Sequence, residues 1–529
     1  MSSYDYDDLD RRTRQTRVDS SFVDYGYDPQ GQLQSAVGKE SGGTTNRWHE
    51  QLGYKYDAAG NLNYLTNNVL LQTFSANTLN ELSTVSESGT LTVAGTTTSG
   101  ATNVTVAANG GGASNAIRYA DATFARTNVS QLDGTNTFTA VAQDSLGRGD
   151  TNTVSSYLPT AVTFLYDLNG NLRTNGTRVF QYDDENQLIC ITEPGAWMST
   201  NIYDGKMRRR IRKEYTWQNS AWVLSTEVRY VYDGNLLIQE RDSFNVPRVT
   251  YTRGLDLSVT LERAGGIGGL LARSDASALN VTHAYYHADG NGNVIALVDA
   301  LQKVVARYLY DPFGNTLSAS GPMAEANLYR FSSKEWHPAS GLVYYLYRFY
   351  DPNLQRWPNR DPIHEIAGLM SERKLRTFAA AGWNFYRFVR NNPPSYVDLL
   401  GLQEVAPPPV PKPGGPPAPP DGGGGGGSGD RCAELAAQIA DAAAALAENP
   451  FDILAGADLA AASAEYERLN CQPPLPKLVP PRCPPEEPKP PKPPEPRLRW
   501  PRIPPIPPLL IEPWIVPDWM LGGGPVREA

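Results

Sequence analysis

The segments YKYDAAGNL (54–62), FLYDLNGNL (164–172) and YLYDPFGNTL (308–317) share one order of residue types. Each runs aromatic-x-Tyr-Asp, a short spacer, Gly-Asn and an aliphatic residue. Looser copies are YGYDPQGQL (25–33), FQYDDENQL (180–188), NIYDGKM (201–207), VYDGNLL (231–237) and YYHADGNGNV (285–294). The alternating aromatics place Tyr on one face of a strand. Asp accepts backbone N–H groups at the turn entry, and Gly supplies a positive φ. The aliphatic residue opens the return strand, so one copy reads as one hairpin. A single hairpin is marginal in water, so the copies must stack side by side. The fold class is therefore mostly β, with hairpins running from residue 1 to about 317.

Composition agrees. The 529-residue chain has 47 Gly, 43 Pro and twice as many Tyr (28) as Phe (14), which suits short strands and turns. At roughly 100–200 residues per domain it holds three or four units. No apolar run reaches the roughly 18 residues of a membrane span. The first residues, MSSYDYDDLDRRTRQTR, lack the apolar core of a secretory signal; they read as the middle of a motif, as in a tail cut from something longer. A net charge of −9 argues against nucleic-acid binding.

The four Cys (Cys190, Cys432, Cys471, Cys483) form no Cys-x-x-Cys pair, and no metal site or cofactor is expected. His283 and His287 share a Tyr-rich strand but lie about 13 Å apart along it. GGIGGLL (265–271) lacks a phosphate-loop Lys and reads as a flexible turn between strands.

The repeats are interrupted over 83–157. Residues 88–117 carry no charge. Short β-branched runs parted by Gly and Asn predict a small antiparallel sandwich, similar to bacterial Ig-like modules. It has no Trp to stack on sugar, so a spacer is the main reading, with a carbohydrate-binding adhesin as another.

Within 310–402 the chain reads Tyr329-Arg330-Phe331-Ser332, Lys334-Glu335, Ser340-Gly341-Leu342, Tyr344-Tyr345 and Arg348-Phe349-Tyr350-Asp351-Pro352. Arg356-Trp357, Asp361-Pro362, Asn384-Phe385-Tyr386, Asn391-Asn392-Pro393, Tyr396, Asp398 and Gly401-Leu402 follow. GLVYYLYRFY predicts one strand buried on both faces, and Asp-Pro at 311, 351 and 361 marks strand ends. Arg356 and Arg360 flank Trp357, so one guanidinium is expected to stack on the indole. Residues 363–383 predict a helix with Ser371 as an N-cap.

The tyrosine-aspartate copies resemble the RHS/YD repeat family, and 310–402 closely resembles the RHS repeat-associated core domain. The resemblance implies a spiralling antiparallel β-sheet shell; the few copies here imply a partial one. Delivery members of that family cut their own chain after the Asp-x-x-Gly-Leu motif, by chemistry resembling an aspartic protease. Carried over, this implies Asp361 and Asp398 as the acid pair, Arg360 beside the first, and cleavage between Leu402 and Gln403. Two carboxylates held close share a proton, so one acts as acid while the other activates water. Here the family's Asp-Pro-x-Gly-Leu has become Asp398-Leu399-Leu400-Gly401-Leu402. That removes a fixed φ where the cut strand is presented. The other reading makes both Asp turn-capping residues that close the shell.

Composition changes after Leu402, where 31 of the 43 Pro fall. Residues 403–430 form a Pro/Gly linker. Residues 431–471 predict an α-helical hairpin capped by Asp430 and broken at Asn449-Pro450. It would bring Cys432 beside Cys471, either as a disulfide or as two reduced thiols. Residues 472–529 form a Pro-rich tail with polyproline II character. The units are thus 1–82 and 158–309 (repeats), 83–157 (insertion), 310–402 (core), 403–430, 431–471 and 472–529. Three functions follow as expectations. One is a shell that presents a variable tail in intercellular competition or at a cell surface. Another is a self-cleaving core, and the last is the adhesin. The implied partners are a delivery-apparatus or immunity protein, or a carbohydrate or cell-surface ligand. The implied location is secreted or at the cell surface.

Overall fold

The computed structural model describes residues 2–97, 100–276, 281–362, 384–402 and 404–405. The chain divides into two units, Met1–Pro420 and Asp421–Ala529. The expected 363–383 helix, the helical hairpin, the Cys432–Cys471 pair and the Pro-rich tail lie outside the described residues.

The regular structure of the described residues is nearly all antiparallel strands. Nine form one sheet, in which each pairs with the next along the chain from Ser3–Tyr6 to Leu82–Ser88; Ala161–Thr163 then adds to the last edge. Fourteen form a second sheet, again in sequence order, from Leu165–Tyr166 to Thr316–Ser320. Neither closes into a barrel.

The turn chemistry explains the repeat. Asp57 Oδ1 accepts the amides of Ala59 and Asn61 at 2.9 and 2.8 Å. Asp167 caps Asn169 and Asn171 in the same way, and Asp311 caps Phe313 and Asn315. The residue three after each Asp is Gly60, Gly170 or Gly314, all with positive φ, where a Cβ would be strained. The Asn four after Asp has its own role: its side-chain amide donates to the second Asp oxygen, at 2.9 Å for Asn61. Looser copies keep the clamp with Asn186 or Met207 in the positive-φ slot.

In several copies the Tyr that precedes the Asp joins one hairpin to an earlier one; the buried hydroxyls of Tyr56 and Tyr182 make no such bond. Tyr27 donates to the Arg12 carbonyl at 2.6 Å, Tyr203 to Leu188 at 2.8 Å and Tyr310 to Val294 at 2.7 Å. Phe would fill the same space but lose the bond, at a cost of about 1–3 kcal/mol where it strands a buried carbonyl; the Leu188 carbonyl is less exposed to that loss, because Asn201 Nδ2 also donates to it at 3.1 Å. At these stitched positions Tyr is favoured over Phe.

The inner faces of both sheets cover the segment from Tyr329 onward. Val23, Leu33, Leu52 and Tyr54 of the first sheet pack with Phe331, Val343, Tyr345, Tyr350, Trp357 and Phe388. Tyr230, Tyr251 and Leu270 of the second sheet cluster with Tyr329. Within this segment one expectation fails. GLVYYLYRFY is not one strand but Val343–Tyr344 and Phe349–Tyr350, joined by a turn in which the Tyr345 amide meets the Arg348 carbonyl at 2.9 Å and Leu346 has φ 79°. Its aromatics except the half-buried Tyr347 are buried, so the run has no alternating polar face to mark the reversal.

Between Leu91 and Leu158 the chain leaves the repeats to form a four-stranded and a three-stranded antiparallel sheet. Val104, Val106 and Phe124 are buried between them. This insertion is fixed to the first sheet through Arg47, a fully buried guanidinium. Arg47 pairs with Glu40, with Glu50 at 2.8 Å and with Asp121 at 2.6 Å. Burial by itself raises the Glu50 and Asp121 pKa values. The guanidinium of Arg47, joined at Glu50 by that of Arg17, outweighs it and holds both below the carboxylate range. Burial lowers His49 to about 4. All three groups bind fewer protons folded than unfolded, so stability falls with falling pH. The loss starts below about pH 6.5 through His49 and deepens below about pH 4 as the carboxylates protonate. Hydrogen exchange, corrected for intrinsic rates, is expected to show faster opening of Thr123–Val129 at pH 3.5 than at pH 7. Equal protection at both would refute this.

Candidate functional site

The site lies where the core segment ends. Val397–Asp398 pairs antiparallel with Glu404–Val405. Asp398 Oδ1 organises the intervening turn by accepting the amides of Leu400 (3.1 Å), Gly401 (2.6 Å) and Leu402 (3.1 Å). Three N–H donors on one carboxylate oxygen make a charge-assisted cap.

Arg348 faces this turn from the reversal in the core. Its Nη2 donates to Asp361 Oδ2 at 2.7 Å and lies 3.9 Å from Asp398 Oδ2. Its Nε donates to the Gly401 carbonyl, and its Nη1 to that of Phe385 at 3.2 Å. The guanidinium sits over the Trp357 ring, 4.0 Å from its centroid. Lys334, between the 3-10 turn Phe331–Ser333 and the strand Glu335–Trp336, donates to the carbonyls of Leu399 (2.7 Å) and Gly265 (2.8 Å). Burial lowers its pKa to about 7, against the opposing pull of Asp398. Gly265, in the glycine-rich turn, has φ 60°, and a Cβ there would collide with the Leu399 carbonyl.

Asp361 and Asp398 are thus brought together on one guanidinium. Arg360 is not part of that contact; its Nη2 lies 3.4 Å from Glu81 Oε1. Leu402 supplies the third amide held by Asp398. Gln403, Cys432 and Cys471 fall outside the described residues. The arginine on Trp357 is Arg348, not Arg356 or Arg360. Arg356 and Trp357 are adjacent in extended chain, so their side chains point to opposite faces, and Arg356 lies over Tyr386 at 4.8 Å. The sequence reading missed the roles of Arg348 and Lys334. A signal existed: a basic residue inside an aromatic, fully buried run needs an anionic or carbonyl partner.

As it stands, the arrangement anchors the turn. It also sets two carboxylates on one cation, the two groups that an acid pair sharing a proton would use.

No family model matches the chain. It is 29% identical over 238 residues to the tRNA3(Ser)-specific nuclease WapA of Bacillus spizizenii, covering 44% of this chain and 9% of that protein. It is 27% identical over 255 residues to double-stranded DNA deaminase toxin A of Burkholderia cenocepacia, covering 45% and 17%. A solved structure of TcdB2-TccC3 overlaps 76% of this chain and 20% of its own, with 17% identity and a TM-score of 0.34. The chain therefore matches only a small part of these proteins' length. Asp-capped hairpins, several of them stitched by Tyr, enclose an aromatic core, and in this the chain is similar to RHS/YD-repeat proteins.

Proposed function

We propose that the chain is a delivery-type shell that presents the segment after Leu402 as a variable tail in competition between cells. The observation that carries this reading is the position of the Asp398 turn. It is anchored in the core by Arg348 and Lys334, immediately before the composition switches to Pro and Gly. An anchored end followed by a linker suits a wall that stays constant while its cargo varies. The relatives named as a nuclease and a deaminase toxin support the same role. The partners are then a delivery apparatus and, in the producing cell, an immunity protein, and the site of action lies outside that cell. Co-culture tests this: producers of the full chain should outcompete a sensitive neighbour, and producers truncated after Leu402 should not. Equal neighbour survival with both would reject it.

A second reading has its own support. Asp361, Asp398 and Arg348 converge on the turn that carries the Leu402 carbonyl. In this reading water adds across the Leu402–Gln403 peptide, leaving a carboxylate on Leu402 and an amine on Gln403, and the tail is released instead of merely presented.

A further inference from the structure

Among the described residues, the strand Gly149–Leu158 ends the four-stranded sheet of the insertion and pairs on one side only, with Gly134–Gln143. At 10 residues it is the longest edge strand among the described residues. Eight of its residues are exposed. Edge strands are normally protected by Lys, Pro or a bulge. This one (GDTNTVSSYL) has neither Lys nor Pro, its register is regular, and Asp150 is its single charge. Val154 pairs with Phe138, so it lies on the face that carries Ala140 and Ala142 toward the three-stranded sheet. It is nevertheless 55% exposed.

We propose that this strand pairs antiparallel with the same strand of a second copy of the chain, across a two-fold axis at Val154. The strand is self-complementary in that register. Val154 meets Val154 of the second copy, and each covers the other's exposed methyls. Thr153 meets Ser155, which extends the existing hydroxyl contacts Thr139–Thr153 (3.0 Å) and Thr137–Ser155 (3.1 Å) by one more strand. Thr151 meets Tyr157, adding aromatic cover to a β-branched residue. The two Asp150 carboxylates fall at opposite ends, roughly 27 Å apart at about 3.4 Å per residue, so like charges do not meet. A foreign strand would need to match this pattern by chance, whereas a second copy matches it by symmetry. One strand pair buries less than a standard interface, so the association is weak and concentration-dependent.

Sedimentation equilibrium of the full chain tests this. The wild type should show a monomer–dimer equilibrium. Val154→Lys and Val154→Glu, both at an exposed position, should each associate at least ~10-fold more weakly. An equimolar mixture of the two variants should associate again, because the opposite charges meet at the axis. A wild type that stays monomeric would overturn the proposal. So would a Val154→Lys protein that dimerises like the wild type, or a mixture that does not recover.

Discussion

Replacing Glu335 by alanine is expected to destabilise the repeat wall by about 3–5 kcal/mol, the cost of stranding buried charge. Glu335 lies between two arginines of the second sheet: Arg209 pairs with Oε2, and Arg212 Nη1 pairs with Oε1 at 2.5 Å. The side chains of Arg209 and Glu335 are 1% and 3% exposed. The Tyr230 hydroxyl adds a third donor at 3.2 Å, and the Arg209 guanidinium is enclosed by the rings of Tyr230 and Tyr344 at 4.6 and 4.3 Å. Water cannot replace the lost carboxylate without opening that aromatic cage. An exposed pair offers the contrast. Arg148 and Asp144 meet at 2.7 Å, but the arginine is 69% exposed, so Arg148→Ala should cost less than about 1 kcal/mol. Denaturant unfolding followed by tyrosine and tryptophan fluorescence would compare the two. A Glu335→Ala transition within about 0.5 kcal/mol of wild type would mean that this network does not hold the core to the wall.

What could be read from sequence follows the range of the interactions. The hairpin turn was legible because its chemistry is local: Asp, the amides two and four residues on, and a positive-φ residue three on fall within one quoted copy. The tyrosine stitches were visible only as an excess of Tyr, since their acceptors lie about 15 residues upstream. The Glu335 cage was not legible at all. Its arginines are more than 120 residues away in sequence, and nothing local in RRIRKEY distinguishes a buried guanidinium from a solvated one. The same applies to Arg47, whose partner Asp121 belongs to the insertion. At the candidate site the motif supplied both acids, and Arg348 without its role, since it joins them only because the aromatic run reverses at Tyr345. An unbroken strand through that run would not have made the Tyr345–Arg348 turn.

Asp398→Asn is expected to leave the fold intact and to abolish any cleavage after Leu402. The substitution keeps a carbonyl oxygen where Oδ1 accepts three amides, so the turn retains its cap. It removes the negative charge that lies 3.9 Å from Arg348 and that favours the charged form of Lys334. If the turn only anchors the tail, wild type and variant will both run as full-length chains with the same circular dichroism. If the core cuts itself, the wild type will yield a fragment whose intact mass ends at Leu402, and neither Asp398→Asn nor Asp361→Asn will. Losing one member of an acid pair that works as a unit removes most of the rate, commonly a factor of 10⁴ or more, so partial activity is not the expected result. A fragment that persists undiminished in Asp398→Asn would exclude this carboxylate from the chemistry and point to an external protease acting on the linker. Arg348→Met separates structure from charge. It removes the group that holds Asp361 and the Gly401 carbonyl together, so it should loosen the turn whichever reading holds. A cut that survived in Arg348→Met but not in Asp398→Asn would assign the chemistry to the carboxylates and the positioning to the arginine.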